Sequence, residues 1–352
     1  MLPKICYFLF YLFAALVGAT PIDLEARAPT PPPTTPVPLG ITKQTIKGGK
    51  GDFTEYTSIV RFKKGTKLTE EQIVGLAEAA WEEMLSDHTQ KGKKKFNGNK
   101  IPRVMSALQV GDEVYLASSM KGGGGDSYIY TEKETQKVDE KKPKKADEKK
   151  PNGSGSKNVK DKKKQPQTPA PKTPVPEDEF AEFTNVLKNN AKDVMQALKE
   201  VSIDSKDHKK QKEQPAGKPY TLDQHRVSAS CGEVMASLLY RLENKNKDLR
   251  KTKVDKQKPK IVAWSRVNQD GKLMEKGSIM NPCGSPSNTD AQNAAACGEN
   301  WGCKAFTGPA GMDFDVIKKS VKAKPPNTQG FPAVDRSSNQ DFPKLEKAKP
   351  KK

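Results

Sequence analysis

Residues 132–177 set the first limit on what this chain can fold into. The stretch repeats Lys-Lys-Pro at Lys141–Pro143 and Lys149–Pro151, then turns to Pro, Thr and Gln. It carries almost no aliphatic side chains, so burial cannot offset the entropy of ordering it. A disordered insertion over residues 131–178 is therefore expected. Two other segments read the same way. Residues 21–51 form a Pro-rich linker around Pro31-Pro32-Pro33. Residues 319–352 form a Lys/Pro/Asn/Ser-rich tail, also expected to be disordered. Only 34% of the 352 residues are hydrophobic against 30% charged, low for a chain folded throughout. What remains is two patterned blocks, 52–130 and 179–318. Neither is rich enough to close a core alone, so they are read as one domain interrupted by the insertion.

The first twenty residues have the character of a secretory signal. Lys4 supplies the positive charge, Ile5–Val17 an apolar run, and Val17-Gly18-Ala19 small residues for cleavage. The run is too short for a bilayer, which needs about 20 apolar residues, so no membrane span is expected in the mature chain. Export implies a secreted, extracellular protein. Cys6 leaves with the signal, and Cys231, Cys283, Cys297 and Cys303 remain. Outside the cell an even cysteine count favours disulfides, and four cysteines pair in three ways. Asn152-Gly153-Ser154 is a glycosylation sequon usable only on that side.

Within the blocks the periodicities are distinct. Thr69 and Gln72 form a capping box ahead of a helix with Ile73, Leu76, Ala77, Ala80, Trp81 and Met84 on one face. Val104–Val110 and Val114–Ser118 flank Gly111-Asp112 as a hairpin. Phe180, Phe183, Leu187, Ala191, Val194, Met195 and Leu198 mark a second helix. A third starts near Ser230 and carries Val234, Met235, Leu238, Leu239 and Leu242. Residues 261–267 and 312–317 read as strands, with a short helix opening at Trp301-Gly302-Cys303.

Cys231 and Glu233 stand at the start of the third helix. Free N–H groups and the helix dipole favour a thiolate there, and a thiolate is what zinc takes as a ligand. Glu233 lies close enough to face the same point without ligating. A metal site beside a non-ligating carboxylate is a minimal arrangement for hydrolysis. His225, six residues before Cys231, is the one histidine within reach of a Cys–His nucleophile reading, though no Asn or Asp motif accompanies it.

Ser230-Cys231-Gly232-Glu233, with Asn281-Pro282-Cys283-Gly284 and Gly302-Cys303 further on, resembles the paired motifs of the zinc-dependent cytidine deaminase-like superfamily. The order helix, hairpin, helix, strand, helix, strand is similar too, over roughly half of the chain. The resemblance implies an α/β fold, a deaminase-like α/β/α sandwich carrying the long disordered insertion and disordered termini. It implies Zn2+ held by Cys231, Cys283 and Cys303, with Cys297 as an alternative ligand, and Glu233 as the catalytic proton carrier. The substrate would be a nucleobase or nucleoside, free or in nucleic acid, deaminated by water. Asn281 is a candidate to line the pocket, and Trp301 either stacks on a base or packs. In this chain Gly284–Gly302 separate Cys283 from Cys303, where the family has two residues.

Two other functions fit the same sequence. One is a non-catalytic secreted protein stabilised by disulfides on the same scaffold. The other is a basic protein that binds polyanions through its Lys/Pro tracts, given a net charge of +19. Nothing in the sequence points to a protein partner. Acidic residues interleave with the lysines of the insertion and no aromatic interrupts them, which favours a solvated tract over a nucleic-acid platform. Deleting residues 132–177 is therefore expected to leave retention on a heparin column within about twofold in salt; a collapse of retention would place the function in the tract.

Overall fold

The computed structural model describes residues 37–90, 101–131, 183–203, 225, 228–250, 252–268, 271–282 and 302–345. All of these except Val37 belong to one compact unit, Pro38–Lys352. The segment expected to be a signal and most of the Lys/Pro-rich insertion lie outside the described residues, as do Cys283, Cys297 and Trp301.

The architecture is mixed α/β. Nine strands among the described residues form one sheet. They are β1 (Thr42–Ile46), β2 (Phe53–Phe62), β3 (Met105–Val110), β4 (Glu113–Ser118), β5 (Lys121–Gly122), β6 (Lys260–Val267), β7 (Leu273–Ile279), β8 (Asp315–Val316) and β9 (Val334–Ser338). The main path runs β1-β2-β4-β3-β6-β7, with β5 and β9 added to β2 and β8 to β6. Every pairing is antiparallel except β6 with β8. The helices are α1 (Glu70–Gln90), α2 (Asn185–Asn190), α3 (Lys192–Ile203), α4 (Gly232–Glu243) and the short α5 (Cys303–Thr307). No helix among the described residues is long and apolar enough to cross a membrane.

Strand alternation divides the interior into two cores. Met105, Ala107, Val114 and Leu116 face the α1 side, where Ile73, Leu76, Ala77, Ala80, Trp81 and Met84 are fully buried. Leu108, Tyr115 and Ala117 face the other side with Val234, Met235, Leu238 and Leu239 of α4 and Val186, Leu187, Val194 and Leu198 of α2 and α3. Helices therefore cover both faces. The capping box of α1 is formed: the Thr69 amide donates to Gln72 Oε1 at 2.8 Å and the Gln72 amide to Thr69 Oγ1 at 3.4 Å. The hairpin closes with Val110 opposite Glu113, and Gly111 takes the positive φ of +65° that the turn needs.

Several expectations are corrected. The linker assigned to 21–51 contains β1, and the tail assigned to disorder from 319 is described to Leu345 and supplies β9. Both strands lie along β2 and carry few apolar residues, with four of five β9 positions exposed. Edge strands need only ladder bonds and one buried face, so composition alone does not reveal them. The helix expected over 180–198 is two, broken at Ala191, whose φ of −146° is non-helical.

Arg61 ties these late additions to the core. Its guanidinium pairs with Glu113 at 2.7 Å, meets Ser338 Oγ of β9 at 2.5 Å and pairs with Glu243 of α4. Gln340 then donates to Glu243 at 2.6 Å. Arg61 is 8% exposed while the two carboxylates keep partial access to water. Its removal should cost less than a fully buried pair, at 3–5 kcal/mol, and more than a surface pair. Arg61→Ala is expected to destabilise by about 2–3 kcal/mol, read as a lowered urea midpoint with an unchanged slope.

Candidate metal centre

The site is built where the N-terminus of α4 meets the hairpin. Cys231 is the N-cap of α4, in extended backbone with φ −77° and ψ 153°. Gly232 follows, and a Cβ built there would lie 2.5 Å from Ser106 Oγ and 3.1 Å from the Ala117 carbonyl oxygen. Only glycine lets the helix start so close to β3 and β4. The Met120 amide donates to the Ser230 carbonyl at 2.9 Å, fixing the chain just before the cap. Ahead of that, Ser228 and Ala229 take left-handed φ values of 49° and 57°. Such backbone costs of order 1–3 kcal/mol per residue and concentrates at functional sites. The turn is closed by the Ser228 amide donating to the His225 carbonyl at 2.8 Å. It swings His225 back over Cys231, while the His225 amide donates to Tyr130 Oη at 3.4 Å.

Cys303 arrives from the far end of the chain, at the first position of α5. Phe306 anchors that helix in the α4-side core, edge-on to Phe314. His225 Nε2 then lies 3.8 Å from Cys231 Sγ and 3.5 Å from Cys303 Sγ. The three donor atoms are all within 4.8 Å of one another and could hold a metal ion. Both cysteines are free thiols; Cys303 is buried and Cys231 half-buried.

Two carboxyl groups accompany the triad without joining it. Glu233, 5% exposed, interacts with both thiols. Burial first, and then the negative charge of Cys231, push its pKa up to about 8. Glu55, fully buried on β2, is likewise held well above the usual carboxylate range by burial and by the Cys231 charge. Burial opposes ionisation of Cys231, but the Cys303 hydrogen bond and the charge of His225 outweigh it and hold that thiol well below its ordinary value. Its hydrogen bond with Cys231, and then burial, raise Cys303 well above.

Of the residues singled out in the sequence, Cys231, Cys303 and Glu233 are brought together. Asn281 is described, half-buried just after β7. Cys283, Cys297 and Trp301 lie outside the described residues. His225, considered only as a nucleophile's partner, is a member of the triad. The signal for it was proximity to Cys231 in sequence; nothing in its polar surroundings marked it as a ligand. Glu55 was not singled out at all. A cavity of about 530 Å³ lies elsewhere, at the Gly111-Asp112 end of the hairpin, and contains none of these groups.

Compared with protein-family models, with curated proteins and with solved structures, the chain matches none. The site's meaning rests on its geometry.

Gly232→Ala is expected to push α4 off the hairpin and lower stability by about 1–3 kcal/mol, seen as a reduced Tm. Because Ser106 supplies the nearest contact, adding Ser106→Gly should restore part of the loss. An unchanged Tm in the single variant would show that the close approach does not position Cys231.

Proposed function

We propose that this chain is a secreted zinc-dependent hydrolytic deaminase of a nucleobase or nucleoside, on a cytidine deaminase-like scaffold. The observation that carries the reading is the convergence of two sulfurs on one imidazole nitrogen, with a carboxyl that touches both sulfurs and stays outside the triad. A tetrahedral zinc with Zn–S about 2.3 Å and Zn–N about 2.0 Å keeps sulfur and nitrogen about 3.5 Å apart, close to the two separations seen. A Cys–His nucleophile needs only one sulfur at the imidazole, and leaves Cys303 without a purpose. Among the described residues three protein ligands are present, which leaves a fourth position open, as in catalytic rather than structural zinc sites. The element order supports the scaffold: α1, the β3–β4 hairpin, α4 bearing Cys231 and Glu233, β6, α5 bearing Cys303, then β8 parallel to β6.

In this reading His225, Cys231 and Cys303 hold the ion. Its contribution is to lower the pKa of a water so that a nucleophile forms near neutral pH. The positive charge would also favour the ionised forms of both thiols and of Glu233. Glu233 then takes the proton of the attacking water on a carboxylate oxygen. It delivers that proton to the ring nitrogen of the amidine and carries a second to the departing amine, so water and amidine become carbonyl and ammonia.

The second reading is a Cys231–Cys303 disulfide in an exported, non-catalytic protein, favoured by the nearness of the two sulfurs. One set of measurements separates them. The mature full chain is expected to carry one zinc, lost in Cys231→Ser, Cys303→Ser and His225→Gln. Glu233→Gln should keep the zinc and lose about 10²–10⁴-fold in turnover of cytidine or adenosine. No zinc, with the peptides of Cys231 and Cys303 recovered joined before reduction and separate after it, would overturn the deaminase and establish the disulfide.

A further inference from the structure

Glu55 is a buried acid with no partner. It is 0% exposed, and neither carboxyl oxygen has a hydrogen-bond partner. It lies on the face of β2 that carries Phe53 and Ile59, both in the core that α4 closes. That is the side on which Cys231 stands, near enough for its charge to act on Glu55. Tyr128, edge-on against Phe53 at 5.7 Å, is in turn acted on by Glu55. Native structures rarely leave such a group unsatisfied, since it costs about 1–3 kcal/mol or more. Neither of the usual structural reasons applies. Glu55 makes no ion pair like that of Arg61 on the same strand, and it stands outside the metal-ligating cluster.

We propose that Glu55 is a ligand-binding acid of this site, hydrogen-bonded when the site is filled to the N–H groups of a planar nitrogen heterocycle. The inference deepens the deaminase reading and rests on it for the class of ligand. A carboxyl matches an amino-substituted ring because its oxygen accepts from the N–H of the exocyclic amine, leaving the adjacent ring nitrogen to Glu233. It divides the labour between two acids: Glu233, touching the thiols, moves protons, and Glu55, apart from them, holds the ring.

The test uses the zinc-loaded full chain with Glu55→Met, which matches volume without polarity, and Glu55→Gln, which keeps polar atoms. Both variants are expected to retain one zinc per chain. Glu55→Met should melt above wild type, since an unsatisfied buried carboxyl has been removed. Its KM for cytidine or adenosine should rise about tenfold or more with kcat within about threefold, and Glu55→Gln should recover part of that loss. A lower Tm for both variants would make Glu55 a structural group, and lost zinc would make it a ligand; either overturns the proposal, as does an unchanged KM. If wild type turns over neither nucleoside, the deaminase reading fails separately. Glu55 is then judged by whether cytidine or adenosine raises the Tm of wild type and not of Glu55→Met; no shift in wild type overturns it.

Discussion

The contact between Gly232 and the hairpin is the constraint on which the rest of the site depends. Removing one Cβ lets α4 begin directly against Ser106 and Ala117, and the next residues inherit that placement. Cys231 is held at the helix start and Glu233 is carried under it. The same seating brings the chain before the cap into contact with β4's exit, where Met120 grips the Ser230 carbonyl. The left-handed pair Ser228-Ala229 can be sustained only because both sides of the turn are fastened. Strain of this kind persists where surrounding packing over-determines it. One small residue thus fixes two of the three triad members, and Cys303 needs only the α5 anchor at Phe306.

Gathering these groups is expensive. His225, Glu233, Cys303 and Glu55 are each at most 5% exposed, and polar groups taken from water cost free energy unless paired. The fold offsets that cost elsewhere. Both faces of the sheet are covered by apolar side chains, and the chain beyond β8 returns along β2 to add Phe342 to the α4-side core. Tyr128, on which Glu55 acts electrostatically, is held in that core by donating to the Pro343 carbonyl at 2.6 Å. The terminal segment therefore supports the site directly, by fixing one wall, as well as adding burial.

What was legible in the sequence follows from the kind of force involved. The capping box of α1, the Gly111-Asp112 turn and the apolar stripe of α4 are local, and each is realised. Cys231 and Glu233 were legible for the same reason, since a helix start fixes their relation. β2 was not. Phe-Thr-Glu-Tyr-Thr-Ser-Ile-Val-Arg-Phe has polar residues on both faces, because Thr57, Ser58 and Arg61 are met by partners from β1, β9, α4 and the chain around them. Its alternation is hidden by interactions that exist only after folding, and Glu55 was hidden with it. His225 depends on two non-glycine residues in a backbone conformation that propensity disfavours, so sequence reasoning stops one turn short of it.

The imidazole is also what distinguishes the two states open to this pair of cysteines. A disulfide needs only the two sulfurs and gains nothing from a histidine placed against both. Burying His225 to 2% exposure in a strained turn, with its Nε2 toward each sulfur, is costly if the sulfurs are to bond to one another. It is repaid if all three donors meet at one ion, since metal binding then contributes to folding free energy. The surroundings of Cys231 point the same way: the Cys303 hydrogen bond and the charge of His225 hold its thiol well below the ordinary value, and a cation would favour the ionised form of both sulfurs. Oxidation would remove both thiols and leave a buried imidazole and two buried acids with no role. The arrangement is therefore more consistent with a site assembled to receive a cation than with a crosslink.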